Sequence, residues 1–329
     1  MTGASQGGGQ DVADLIGFLA SPKSELREMS VDLVQGLTGS SDGIEMLLQQ
    51  RTQLFEPLLR LLADPAASVS RAAATSLVNL SQDKRGVTEL LERDAVARVM
   101  THIREMSCPH HDMLCMLLAN ITIEEEGCEA ILQTGDERLA GLFVAVLLRL
   151  FVDSLGQTVD LYEHVALVLC NVTRIRSARE VLLQKGRGLM HALTPQLTAT
   201  SELRRRGCAA AIKNLCMGAE AEGTLAAVLE EKQNIGRILA RLDAGEDREQ
   251  DDTVREALAD AIQALSLTAE GRDVLMAVSA NEVLRAGYAV EKNKEVAAAM
   301  ESAAEGLMRH GDMQAAVQQF ATGKLVTSD

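Results

Sequence analysis

Apolar residues recur along this 329-residue chain in a fixed frame. With Asn79 of Ser76-Leu77-Val78-Asn79-Leu80-Ser81 as an origin, the positions ten, six and two before it and one after it are Val69, Ala73, Leu77 and Leu80. Steps of four, four and three put them on one helical stripe, so the pattern predicts a helix with one buried face. The frame returns as Leu161, Val165, Leu169 and Val172 around Asn171, as Val254, Leu258, Ile262 and Leu265 around Ala264, and as Val296, Met300, Ala304 and Leu307 around Gly306. Gly36, Asn120 and Asn214 are further origins, and the seven stand 43, 41, 51, 43, 50 and 42 residues apart. Such spacings belong to two- or three-helix solenoid units.

One full unit reads as three helices, Gly43 to Gln50, Gln53 to Ala63 and Ser68 to Leu80, which is the armadillo layout. Gly43, Gly86, Gly127 and Gly271 each fall seven residues past an origin, at a corner where glycine tolerates tight or left-handed backbone. The period therefore predicts an all-α, right-handed α-solenoid of about seven armadillo/HEAT-like repeats over residues 11–320. A Gly-rich lead (1–10) and a tail (321–329) are expected to be disordered. The two long intervals place extra residues at Glu137 to Gln157 and in an acidic, mobile loop from Leu242 to Asp252.

Composition narrows the function classes. Aromatics are 2% with no Trp, which suits closely approaching helices rather than strands. The formal charge of −15 disfavours nucleic acid and anionic membranes as partners. Six cysteines fall mostly within predicted helices, as expected of free thiols in a reducing compartment, and no stretch reads as a secretory signal or a membrane span. A cytoplasmic protein is expected.

Three groups of residues are candidates for chemistry. Asn79, Asn120, Asn171 and Asn214 lie at the rim of the buried stripe, where third helices of armadillo units line the concave surface. A ladder of carboxamides there would read the backbone of an extended peptide, and bonding to neighbouring backbone at a helix end is the alternative. Arg205, Arg206 and Lys213, with Arg71 as the counterpart of Arg206 in an earlier unit, suit a carboxylate-rich partner segment or the protein's own acids in the 246–252 loop. Cys108-Pro109-His110-His111 and Cys115 have zinc-type side chains at a spacing that matches no usual ligand pair, so no metal is expected. No phosphate loop, dinucleotide fingerprint or catalytic triad context appears, so neither cofactor nor enzyme activity is expected.

Three stretches resemble one armadillo family, the Hgh-type adaptors. They are Val34-Gln35-Gly36-Leu37-Thr38-Gly39-Ser40 before Gly43 to Leu48, Arg205-Arg206-Gly207 with Lys213-Asn214-Leu215-Cys216, and Asp247-Arg248-Glu249 leading into Val254 to Ile262. The likeness runs in order over nearly the whole chain. It departs from the family in the shortened segment Met217 to Glu246, and where Leu284-Arg285 is followed by Tyr288 and Val290 instead of an aromatic His-x-Trp pair. The resemblance implies a non-enzymatic co-chaperone that holds newly made elongation factor 2 and brings it to the cytosolic chaperonin. The alternative is a generic armadillo peptide-binding scaffold or receptor of the nuclear-transport kind.

Overall fold

The computed structural model describes residues 4–105, 108–184 and 186–321, with side chains described within residues 11–308. Among them all regular structure is helical, and the fold is an all-α solenoid of armadillo-type repeats. The chain divides into two compact units, Met1–Val172 and Thr173–Asp329. The expected tail beyond residue 321 lies outside the described residues. The first helix, Ala4–Phe18, starts ahead of Asp11 and so takes in part of the expected lead.

In the first unit, the second repeat consists of Ser41–Gln49, Arg51–Leu61 and Ala67–Leu80. Its stripe of Val69, Ala73, Leu77 and Leu80 is buried, and Leu47 and Leu90, eleven past their origins, are buried with it. Ser40 caps the first of these helices by accepting the Gly43 N–H at 3.2 Å, which satisfies one of the orphan donors of the helix start. The stripe around Asn171 departs from expectation because Leu161 is exposed. Val165, Ala166 and Leu167 each bond the carbonyl three residues back, a 3-10 winding that turns Leu161 away from the stripe before the Val165–Thr173 helix begins.

The corner glycines owe their identity to close approach rather than to left-handed backbone. A Cβ at Gly86 would lie 2.1 Å from the Leu80 carbonyl oxygen. Gly43, Gly127 and Gly271 face Leu37, Ile121 and Leu265 in the same way. The chain thus folds back on the end of its own preceding helix at a distance that excludes any side chain.

In the second unit, the long helices Glu202–Gly218, Asp252–Ser266 and Lys294–Ala321 pack in succession. The acidic loop before Asp252 is anchored at Arg248 and Glu249, while residues 244–247 are exposed. Glu249 N–H bonds the Arg241 carbonyl at 3.0 Å, and Arg248 Nη1 bonds those of Leu242 and Asp243 at 2.6 and 3.0 Å. Arginines that share its carboxylates offset the charge repulsion that sequence alone suggests.

Candidate partner-binding surface

All four asparagines are half-buried at the end of a repeat's last helix, and each Nδ2 donates back to the repeat before it. Asn79 reaches Thr38 Oγ1 at 2.9 Å and Asn120 reaches Ser81 Oγ at 2.9 Å. Asn171 reaches Thr122 Oγ1 and Asn214 reaches Thr173 Oγ1, both at 3.2 Å. Every acceptor is the hydroxyl two residues past the preceding origin. Asn120 and Asn171 also donate to the carbonyls of Val78 and Ala119, which can only accept, so the amino end of the carboxamide must face inward. The hydroxyls of Thr38 and Ser81 donate at 2.7 Å to Gln35 and Val78 of their own helix, leaving lone pairs for the asparagine. Oδ1 of Asn79 and of Asn120 accepts no bond among the described residues. Nδ2 is thus used to join successive repeats, through a side-chain hydroxyl at all four positions and through a backbone carbonyl as well at Asn120 and Asn171. The expected bonding to neighbouring backbone is met in part, and across repeats rather than within one helix end. The series stops where Cys216 replaces the hydroxyl and Ala264 the asparagine.

The basic candidates separate by environment. Arg205 Nε bonds Glu249 at 2.9 Å, Arg206 Nε bonds Asp251 at 2.5 Å with Glu202 also alongside, and Lys213 Nζ bonds Asp260 at 2.6 Å. The carboxylates that such a cluster attracts are the protein's own. Burial pushes the Asp251 carboxyl up, but hydrogen bonds from Thr253 and Arg206 outweigh it and hold the group at about 2. Arg71 is exposed and has no ion pair among the described residues.

The sequence pattern misses a recurring arginine device. Arg27, Arg179, Arg205, Arg248, Arg255 and Arg272 each point Nη1 at the two carbonyls six and five residues earlier, for example Ala199 and Thr200 for Arg205 at 2.9 and 3.1 Å. For Arg179 and Arg272 these include carbonyls at the end of the preceding helix that lack an intrahelical donor, whereas the Glu249 and Gln250 carbonyls that receive Arg255 lie in the loop ahead of Asp252–Ser266. In Arg27, Arg179, Arg205, Arg248 and Arg255 the guanidinium also bonds a carboxylate further along, as in Arg27–Asp64 through Nε and Arg179–Glu222 through two nitrogens. Glu291, its side chain wholly buried, receives Arg248 at 2.5 Å, Arg255 at 2.8 Å and the N–H groups of Lys292 and Asn293. Burial alone would raise this carboxyl, yet those donors hold it at about 2. Part of the device was visible, since Arg27, Arg205 and Arg255 stand nine before an origin and Asp64, Glu249 and Glu291 fifteen before the next.

The cysteine and histidine candidates serve packing. His110 Nε2 lies 2.8 Å from Ser70 Oγ, and His111 Nδ1 lies 3.3 Å from the Tyr162 hydroxyl, joining successive repeats. Burial pushes the Cys115 thiol far above its ordinary range. No group of three or more potential metal ligands is gathered among the described residues. Among those residues, too, no helix is long and apolar enough to cross a membrane.

A family model described as "Domain of unknown function (DUF383)" matches residues 102–274. "Protein HGH1 homolog" of Dictyostelium discoideum is 23% identical over 322 residues, covering 90% of each chain. The Rattus norvegicus protein of that name is 26% identical over 328 residues, covering 92% of this chain and 82% of its own. Among solved structures, an engineered protein gives a TM-score of 0.74 at 19% identity, covering 89% of this chain and 67% of that one. A designed armadillo repeat protein in complex with the peptide (KR)4 gives 0.62 at 16% identity, covering 76% and 98%. At these identities the structural likeness establishes the fold.

Proposed function

The chain belongs to the DUF383, HGH1-type family, and on that premise we propose that it is a non-catalytic cytoplasmic co-chaperone that holds newly made elongation factor 2 and links it to the cytosolic chaperonin. A multidomain translation GTPase exposes apolar surface and unpaired backbone while it folds, so a holder with a repetitive polar row suits it. The observation that carries the reading is the in-register carboxamide row in which Nδ2 is held and Oδ1 of Asn79 and Asn120 accepts no bond among the described residues. Fixed by their Nδ2 bonds, these carbonyls are pre-oriented to accept N–H groups from an extended client segment, which needs no particular client sequence.

Asn171 and Asn214 extend the row in sequence, and Arg71 offers an uncompensated charge to client carboxylates. In the second unit, Arg206 and Lys213 offer a contact of their own by exchanging Asp251 and Asp260 for carboxylates of the client, with Arg205 holding that corner. Binding of this kind needs no nucleotide, metal or other cofactor.

Immobilised chain incubated with eukaryotic cytosol is expected to enrich elongation factor 2 and chaperonin subunits. Enrichment of neither overturns the proposal. The triple variant Arg71→Glu, Asn79→Ala, Asn120→Ala, folded by circular dichroism, is expected to lose most of that capture.

A further inference from the structure

Leu284-Arg285 and Tyr288, where the sequence departs from its family pattern, line an open groove of about 370 Å³ with Met300, Ala304 and Met308 of the next helix. This lies within the range of about 300–1,000 Å³ typical of ligand pockets. Leu284 and Met300 form a buried floor, and Tyr288 and Met308 stand exposed at its mouth. The lining residues recur at helical spacing on both walls, Ala280–Val290 and Lys294–Ala321, so each wall presents a ridge about two turns long. Met308 occupies the position two past an origin. Earlier repeats place Thr38, Ser81, Thr122, Thr173, Cys216 or Ser266 there, the first four of them receiving an asparagine. A thioether accepts hydrogen bonds only weakly, so this face suits an apolar occupant rather than another carboxamide.

The rims define the occupant further. Glu301 and Glu305 stand on one wall and Arg285 on the other, and Arg285 and Glu301 are both exposed and without an ion pair among the described residues. A second copy of the chain would bring another charge of −15 and be repelled. We propose that this groove, apart from the asparagine row, docks an amphipathic helix of another protein, apolar at i, i+3/i+4 and i+7 and flanked by Lys or Arg. Such a helix would lay its ridge between the two walls as packed helices do, with its cations against the glutamates.

Two dye-labelled synthetic helices test this, each with leucine at i, i+3, i+7 and i+10, one flanked by lysine and the other by glutamate. By fluorescence anisotropy on the full chain, the lysine peptide is expected to bind tighter by about fivefold, the scale of one or two exposed ion pairs. Glu301→Lys should erase that preference, and Met308→Asp should weaken both peptides at least about tenfold, the loss of a buried apolar anchor. Equal binding of both peptides, or binding unaffected by either substitution, overturns the proposal. So does sedimentation showing a dimer that Met308→Asp dissociates, since a second copy would then be the occupant. Because no client is present, failure here leaves the co-chaperone reading to its own test.

Discussion

Asn120 Nδ2 donates at 2.9 Å to Ser81 Oγ, the hydroxyl two residues past Asn79, and so ties the end of one repeat to the end of the next across 39 residues of chain. A hydrogen bond of this kind contributes about 1 kcal/mol net. In a double-mutant cycle of Asn120→Ala and Ser81→Ala, urea denaturation is expected to give a coupling energy of about 0.5–1.5 kcal/mol. A coupling indistinguishable from zero would make the contact incidental.

Gly86→Ala places a methyl group 2.1 Å from the Leu80 oxygen, which only a backbone shift relieves. Such overpacking is expected to cost about 1–3 kcal/mol. Gly236, inside Lys232–Ala240 with nothing within 4 Å of its notional Cβ, gives the contrast. There the same substitution is expected to stabilise by up to about 1 kcal/mol. Thermal midpoints of the two variants should move in opposite directions.

Acid stability follows from Glu291 and Asp251, both held at about 2 against ordinary values of 4.5 and 3.8. A lowered folded-state pKa contributes stability that is full above the unfolded value and lost as pH falls through the folded one. Stability is therefore expected to fall as pH drops from about 4.5 to about 2. Glu291→Gln leaves Arg248 and Arg255 sharing a neutral partner, so it is expected to cost about 3–5 kcal/mol at neutral pH. The variant should also lose part of the acid slope, as a series of urea midpoints against pH would register.

Arg71 and Arg205 should respond oppositely to removal. Arg205→Ala removes the direct ion pair of the buried Glu249, which keeps the N–H groups of Gln250 and Asp251 and Arg241 at 3.9 Å, and is expected to destabilise by about 1–3 kcal/mol. Arg71→Glu changes an exposed, unpaired charge and is expected to leave the midpoint within about 0.5 kcal/mol while weakening capture of elongation factor 2. If Arg71→Glu unfolds the protein instead, its role is structural.

The all-α solenoid, the helices of Ser41–Leu80 and their buried stripe were legible because helical burial leaves a local period in the sequence. Asn79 and its successors were legible as a series. The direction of their bonds was not, because Nδ2 of Asn79 finds Thr38 from 41 residues away and only the folded backbone brings them together. Leu161 misled because the stripe assumes 100° per residue and the chain winds more tightly there. The loop before Asp252 reads as solvated charge from its composition, but Glu249 and Asp251 within it are held by Arg205 and Arg206, and Arg205 is anchored by carbonyls that no local pattern marks. The groove at Tyr288 was visible only as a departure from a family pattern.

The link between hydroxyl and carboxamide also gives each repeat a matching plug and socket. Excising residues 80–120 would join Asn79 to Ile121 and leave Thr122 two places beyond it, with Asn171 still facing its own socket. An array wired in this way can gain or lose whole periods through unequal exchange without leaving a donor stranded. The Cys216 and Ala264 joint, which has neither plug nor socket, is where such a cassette would find no mate.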